Sequence, residues 1–131
     1  MAFTVMIVDD SPVMRVFIRR VMKLAGFEEA EYLEACDGQD ALDRLKTCRV
    51  DVILTDINMP RMNGEEFLAE LEKNEALSSI PSLVISTDAT RDRVHRMLAL
   101  GAQGYISKPF SPEALREELD RVLGEINVSG N

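Results

Sequence analysis

Five apolar runs of strand length alternate with amphipathic stretches: "FTVMIV" (3–8), "YLEA" (32–35), "DVILTD" (51–56), "SLVIST" (82–87) and "GYIS" (104–107). This alternation confines the chain to a narrow set of folds. Parallel strands must be joined by crossovers, usually helical, and successive β-then-α units give a parallel sheet with helices on both faces and right-handed connections. The first and third runs are almost continuously apolar, as strands covered on both faces require. The expected class is α/β, one five-stranded parallel sheet between helical layers.

The intervening stretches carry helix chemistry. Met14, Phe17, Ile18, Val21 and Leu24 share one face of the first, and Leu115, Leu119, Val122, Leu123 and Ile126 one face of the last. Ser11 is an N-cap with Pro12 at the first helical position, and Gly26 can close the helix in a left-handed conformation. "SPEAL" (111–115) repeats the Ser-Pro start, "DG" (37–38) opens the second helix with Asp37 as its cap, and "NG" (63–64) precedes the third. A single domain over residues 1–126 is expected, with residues 127–131 a frayed tail.

Composition narrows the partners. The 131 residues are 46% hydrophobic and 29% charged, the balance of a globular chain. With 15 basic and 23 acidic side chains the formal net charge is −8, which disfavours nucleic acid and leaves proteins or a cation. No apolar stretch approaches the ~18–20 residues of a membrane span, and the N-terminus lacks a signal-peptide pattern. Cys36 and Cys48 read as reduced, small apolar residues of a cytoplasmic protein. His95, the one histidine, lies among basic neighbours in "RDRVHRML" and reads as an exposed helix residue. Met59, Met62 and Met97 read as packing residues.

Open α/β sheets bind ligands at the C-terminal ends of their strands. Here those ends carry Asp9 and Asp10, then Asp56, then Ser86 and Thr87, then Ser107 and Lys108. If the strand order is 2-1-3-4-5, strands 1 and 3 adjoin, and the three aspartates meet with Ser86 and Lys108 along one wall. Three carboxylates sharing a crevice need compensation. A divalent cation and one lysine balance them, and an oxygen-only ligand set suits Mg²⁺. An aspartate beside such a cation and a lysine can act as a nucleophile toward a phosphoryl group, with Ser86 donating a hydrogen bond to a phosphoryl oxygen. Taken singly, each residue also has an ordinary reading: a helix-dipole partner for Asp9 or Asp10, a turn former for Asp56, a solvated side chain for Lys108 and a strand-end hydroxyl for Ser86.

With these residues in place, the chain resembles the receiver domain of bacterial two-component response regulators over essentially its whole length. The matching pieces are "VDDSPVMR" (8–15), "DVILTDINMPRMNG" (51–64), "LVIST" (83–87) and "GAQGYISKPF" (101–110). The resemblance implies the flavodoxin-like (βα)5 fold in order 2-1-3-4-5, so the strand order is carried over from the family. It implies that Asp56 accepts phosphate from a sensor histidine kinase or a histidine phosphotransfer protein. Asp10 and Asp56 would ligate Mg²⁺ by carboxylate, Asp9 largely through water, and Asn58 by its backbone carbonyl. Ser86 matches the switch hydroxyl, Lys108 the family's lysine, and Tyr105 the switch aromatic; the Lys108–Pro109 peptide is cis in the family.

Phosphorylation, on the same resemblance, draws Ser86 toward the new oxygens and turns Tyr105 inward. That reshapes a protein-binding face of the fourth helix, fifth strand and fifth helix. Asn58, Asp88 and Thr87 occupy positions that tune the lifetime of the phosphoryl group. The expected protein is a chemotaxis-type or phosphorelay switch, monomeric, without external substrate turnover. A phosphatase of the haloacid dehalogenase kind would need Asp-x-Asp where "DIN" stands (56–58). A flavin binder would place a phosphate against Asp9 and Asp10, which repel it.

Overall fold

The computed structural model describes residues 2–130, and side chains through residue 124. Its strands are β1 (Thr4–Val8), β2 (Glu31–Ala35), β3 (Val52–Thr55), β4 (Ser82–Ser86) and β5 (Gly104–Ser107). They form one parallel sheet in the order β2-β1-β3-β4-β5. The helices are α1 (Pro12–Leu24), α2 (Gly38–Leu45), α3 (Gly64–Glu72), the single-turn α4 (Glu75–Ser78), α5 (Arg91–Ala99) and α6 (Pro112–Gly130). This is the doubly wound sheet that the alternation predicts.

Side chains alternate across the sheet with period two, so each central strand feeds two cores. Met6, Val8, Ile53 and Val84 point to one layer, where Ala41, Leu45, Phe67, Leu68, Leu71 and Met97 cover them from α2, α3 and α5. Val5, Ile7, Val52, Leu54, Leu83 and Ile85 point to the other, under Ile18, Val21 and Met22 of α1 and Leu115 and Leu119 of α6. The strands are therefore apolar on both faces, which is why they read as continuous runs.

The caps fall where expected. Ser11 Oγ accepts the Met14 N–H, Pro12 opens α1, and Gly26 takes φ +110° past its end. Asp37 caps α2, Asn63 and Glu66 form a reciprocal capping box on α3, and Ser111 Oγ accepts the Ala114 N–H at the start of α6.

Two expectations change. The buried stripe of α1 runs through Ile18, Val21, Met22 and Ala25, while Phe17 is 43% and Leu24 70% exposed. A helix turns about 100° per residue, so a stripe centred one position later drops those two. Cys36 and Cys48 are both free, as the sequence suggests, with Cys36 exposed and Cys48 half-buried. The polar segment after α3 forms α4, capped by Asn74, which its composition did not announce. The fourth long helix of the sequence reading is therefore α5, and the fifth is α6. Leu115, Leu119 and Val122 are buried as expected, whereas the Ile126 side chain and the expected tail, residues 127–131, lie outside the described side chains. His95 is exposed, and Met59 and Met97 are buried. Among the described residues no helix is long and apolar enough to cross a membrane.

Candidate functional site

The ladders that continue past the strand ends build the site. The Asp56 N–H donates to the Val8 carbonyl at 2.9 Å, so Asp9 and Asp56 leave adjacent strands at the same level. On the far side, the Lys108 N–H donates to the Ser86 carbonyl at 2.8 Å, which sets Lys108 beside the end of β4. The Lys108–Pro109 peptide is cis, in agreement with the family pattern. As a result Asp9, Asp10 and Asp56 each present a carboxylate oxygen within 4.8 Å of the others. Lys108 Nζ lies 3.6 Å from Asp9 Oδ2 and 3.7 Å from Asp56 Oδ2.

The two oxygens of each inner carboxylate are not equivalent. Asp9 Oδ1 accepts the Ser11 N–H at 2.9 Å, and Asp56 Oδ1 accepts the Ile57 N–H at 2.8 Å. These bonds fix both side chains and aim the Oδ2 atoms inward. Asp9 is only 2% exposed, and its Oδ2 is buried without a hydrogen-bond donor. Burial raises the Asp9 carboxyl above the usual aspartate range, and the charges of Asp56 and Asp10 add to it; the Ser11 N–H and Lys108 act in the opposite direction. An orphaned buried carboxylate oxygen, two neighbouring carboxylates and a single lysine are a donor set that fits a hard divalent cation of the Mg²⁺ type.

Gly64 brings α3 directly against this pocket. Its N–H donates to the Ile57 carbonyl at 2.7 Å, and a Cβ built there would stand 2.4 Å from the Asp56 carbonyl oxygen. Only glycine permits that approach. Along the opposite wall, Ser86 is buried and its Oγ accepts the Asp88 N–H at 3.1 Å. Tyr105 is half-buried against the core layer under α5, and its hydroxyl donates to the Asp88 carbonyl. Thr87 is exposed and borders an apolar groove with Val13, Phe17, Pro109 and Phe110. Asn58 is exposed on the loop after Asp56. The structure thus gathers Asp9, Asp10, Asp56 and Lys108 at one point, with Ser86, Asp88 and Tyr105 linked to each other beside it.

A family profile for the response regulator receiver domain matches residues 5–120. The chain belongs to the response regulator receiver family. This receiver is 36% identical over 119 residues to chemotaxis protein CheY-3 of Vibrio cholerae, covering 91% of the chain and 90% of that protein. It is 33% identical over 123 residues to chemotaxis protein CheY of Pseudomonas aeruginosa, covering 94% of the chain and 98% of that protein. Its fold is similar to the crystal structure of V. cholerae CheY4, at a TM-score of 0.82 and 34% identity over 93% of the chain and 99% of that one. It is a CheY-like receiver of two-component signalling, the class of phosphoryl-accepting switches that work with histidine kinases and downstream targets.

Two ion-pair systems around this receiver's site escaped the sequence reading. Arg61, at φ 61°, reaches back from the β3–α3 loop to Asp37, with Nε on Oδ2 at 2.8 Å and Nη2 on Oδ1 at 3.2 Å. Arg93 of α5 touches both Asp88 and Glu65. In the sequence Arg61 is one residue of a turn and Arg93 one of three arginines in α5; nothing local marks either as paired.

The first pair gives a pH test. Burial pushes the Asp37 carboxyl up, but the Arg61 guanidinium and the Asp40 N–H outweigh it and hold the group below its ordinary value of 3.8. A carboxyl with a depressed folded-state pKa adds stability above its unfolded pKa, and loses it as the pH falls through the folded one. Asp37→Asn keeps a capping side chain and removes the charge. Its Tm is expected to lie below wild type at about pH 6, with the gap closing progressively below about pH 4. Thermal melts followed by circular dichroism across that range measure it, and a gap constant with pH rules the pair out as its source.

Proposed function

We propose that this receiver is a monomeric, cytoplasmic switch set by Mg²⁺-dependent phosphorylation of Asp56, with a phosphohistidine on a sensor kinase or phosphotransfer protein as donor. The observation that carries this reading is the inward Asp56 Oδ2, 3.7 Å from Lys108 Nζ, together with the buried Asp9 Oδ2 that accepts no hydrogen bond. Asp10 and Asp56 would hold the ion by carboxylate, Asp9 through water and Asn58 by its backbone carbonyl. When bound, the ion supplies positive charge to the oxygens of the transferring group. In the transfer, Asp56 Oδ2 forms a bond to phosphorus as the histidine N–P bond breaks, and the departing imidazole takes a proton. Lys108 neutralises the phosphoryl oxygens from the β5 side, and Asp56 Oδ1 stays anchored on the Ile57 N–H, so the nucleophile is already oriented.

The readout follows from the bonds of the opposite wall. Ser86 Oγ accepts the Asp88 N–H, and its hydroxyl can donate to a phosphoryl oxygen. Movement of Ser86 toward that oxygen pulls on the β4–α5 loop, to which the Tyr105 hydroxyl is tied through the Asp88 carbonyl. The shift therefore reaches the face of α5, β5 and α6, where a downstream protein binds. Asn58, two residues past Asp56, and Thr87 and Asp88, just past Ser86, would set how long the phosphoryl group persists.

Radiolabelled acetyl phosphate provides the test. Wild-type protein with Mg²⁺ is expected to take up label toward one phosphoryl group per chain. EDTA removes uptake, and excess Mg²⁺ restores it. Equal labelling with and without the cation would overturn the reading.

A further inference from the structure

The β4–α5 loop carries an ion network that the phosphorylation chemistry does not itself require. Both Asp88 carboxylate oxygens are engaged on the α5 side: Oδ1 accepts the Thr90 N–H at 3.2 Å and the Thr90 hydroxyl at 2.9 Å, and Oδ2 accepts Arg93 Nε at 3.2 Å. The same guanidinium donates through Nη1 to Glu65 Oε1 at 2.6 Å, and Arg96 Nε donates to that oxygen at 2.8 Å. Glu65 lies in the first turn of α3, one residue after the glycine that packs against Asp56. Arg93 thus bridges the two elements that flank the candidate phosphorylation site. Its own environment is partly shielded, at 32% side-chain exposure, with Glu65 at 22%.

We propose that Arg93 is a positioning residue that lengthens the life of the phosphoryl group by holding the Asp88 carboxylate on α5. This rests on Asp56 being the phosphoacceptor. Hydrolysis of the acyl phosphate consumes one water: its oxygen bonds to phosphorus, the bond from phosphorus to Asp56 Oδ2 breaks, and both water protons leave with the inorganic phosphate. A free carboxylate two residues past Ser86 can accept a hydrogen bond from that water and orient it. Thr90 takes both acceptor positions of Asp88 Oδ1 and Arg93 takes one on Oδ2, which holds the carboxylate toward α5, and Glu65 fixes the guanidinium by its other arm. Arg93 also keeps α5 docked against the start of α3, so the two sides of the site move together.

The test measures loss of label from protein phosphorylated with acetyl phosphate, after removal of the donor, in wild type, Arg93→Gln, Asp88→Asn and the double variant. Arg93→Gln keeps a good helix former and removes the two-armed bridge. Its label is expected to decay about two- to fivefold faster than wild type, the scale of a partly exposed ion pair. The double variant is expected to decay at the rate of Asp88→Asn alone, an equality that general loosening of the fold does not produce. Equal decay in wild type and Arg93→Gln overturns the proposal, as does acceleration by the same factor in the Asp88→Asn background. Wild-type protein that takes no label overturns the phosphoacceptor reading itself, a separate result.

Discussion

Asp56→Asn protein is expected to lose label from acetyl phosphate down to background, a fall of roughly 10⁴-fold or more, as removal of a nucleophile produces. The substitution is geometrically mild. The amide oxygen can keep the hydrogen bond that Asp56 Oδ1 accepts from the Ile57 N–H, so the backbone of the loop has no reason to move. What disappears is the anionic Oδ2 facing Lys108. Removing that charge also relieves the repulsion that helps hold the Asp9 carboxyl above its usual range. Without divalent cations the variant should therefore melt no lower than wild type, and slightly higher. The paired measurements separate lost chemistry from lost folding: label persisting on Asp56→Asn would remove Asp56 as phosphoacceptor, and a large drop in Tm would show the aspartate to be structural.

Gly64→Ala has the second large effect, through sterics instead of charge. The added Cβ would meet the Asp56 carbonyl oxygen at 2.4 Å and the Ile57 Cα at 2.8 Å. Both are backbone atoms, which cannot rotate away as a side-chain tip can. Relief requires α3 to shift outward, and α3 carries Phe67, Leu68 and Leu71 in the core. A destabilisation of about 1–3 kcal/mol is expected from such overpacking, a fall in Tm of roughly 3–10 °C for a domain of this size. Because the strain falls on Asp56 itself, the labelling rate should drop in protein that is still folded. Alanine tolerated here with unchanged Tm and labelling would mean that the approach of α3 to the pocket is looser than the structure has it.

Much of this architecture is legible in the residues because local chemistry marks it. A strand buried on both faces must be apolar at every position, so β1 and β3 announce themselves. Ser11-Pro12, Asp37-Gly38 and Asn63-Gly64 mark helix starts because unsatisfied N–H groups need an acceptor nearby. The site residues are visible for a related reason: in a parallel sheet the strand ends converge, so chemistry placed there must meet. The rotation of α1 was less legible. Phe17 and Leu24 are apolar and correctly spaced, yet the helix buries Met22 and Ala25 in their place. Periodicity defines a stripe but leaves its centre uncertain by one residue.

From the sequence alone came the sheet class, the caps and the set Asp9, Asp10, Asp56, Ser86 and Lys108, because each is encoded by neighbours a few positions away. The tertiary structure alone decided which oxygen of each carboxylate faces the pocket, that Asp9 Oδ2 is buried without a donor, and that Arg61 pairs with Asp37 and Arg93 with both Asp88 and Glu65. The Arg61–Asp37 and Arg93–Glu65 pairs depend on side chains 24 and 28 residues apart coming within hydrogen-bond reach. An arginine has the same sequence signature whether it is solvated or clamped; only packing the helices onto the sheet selects its partner.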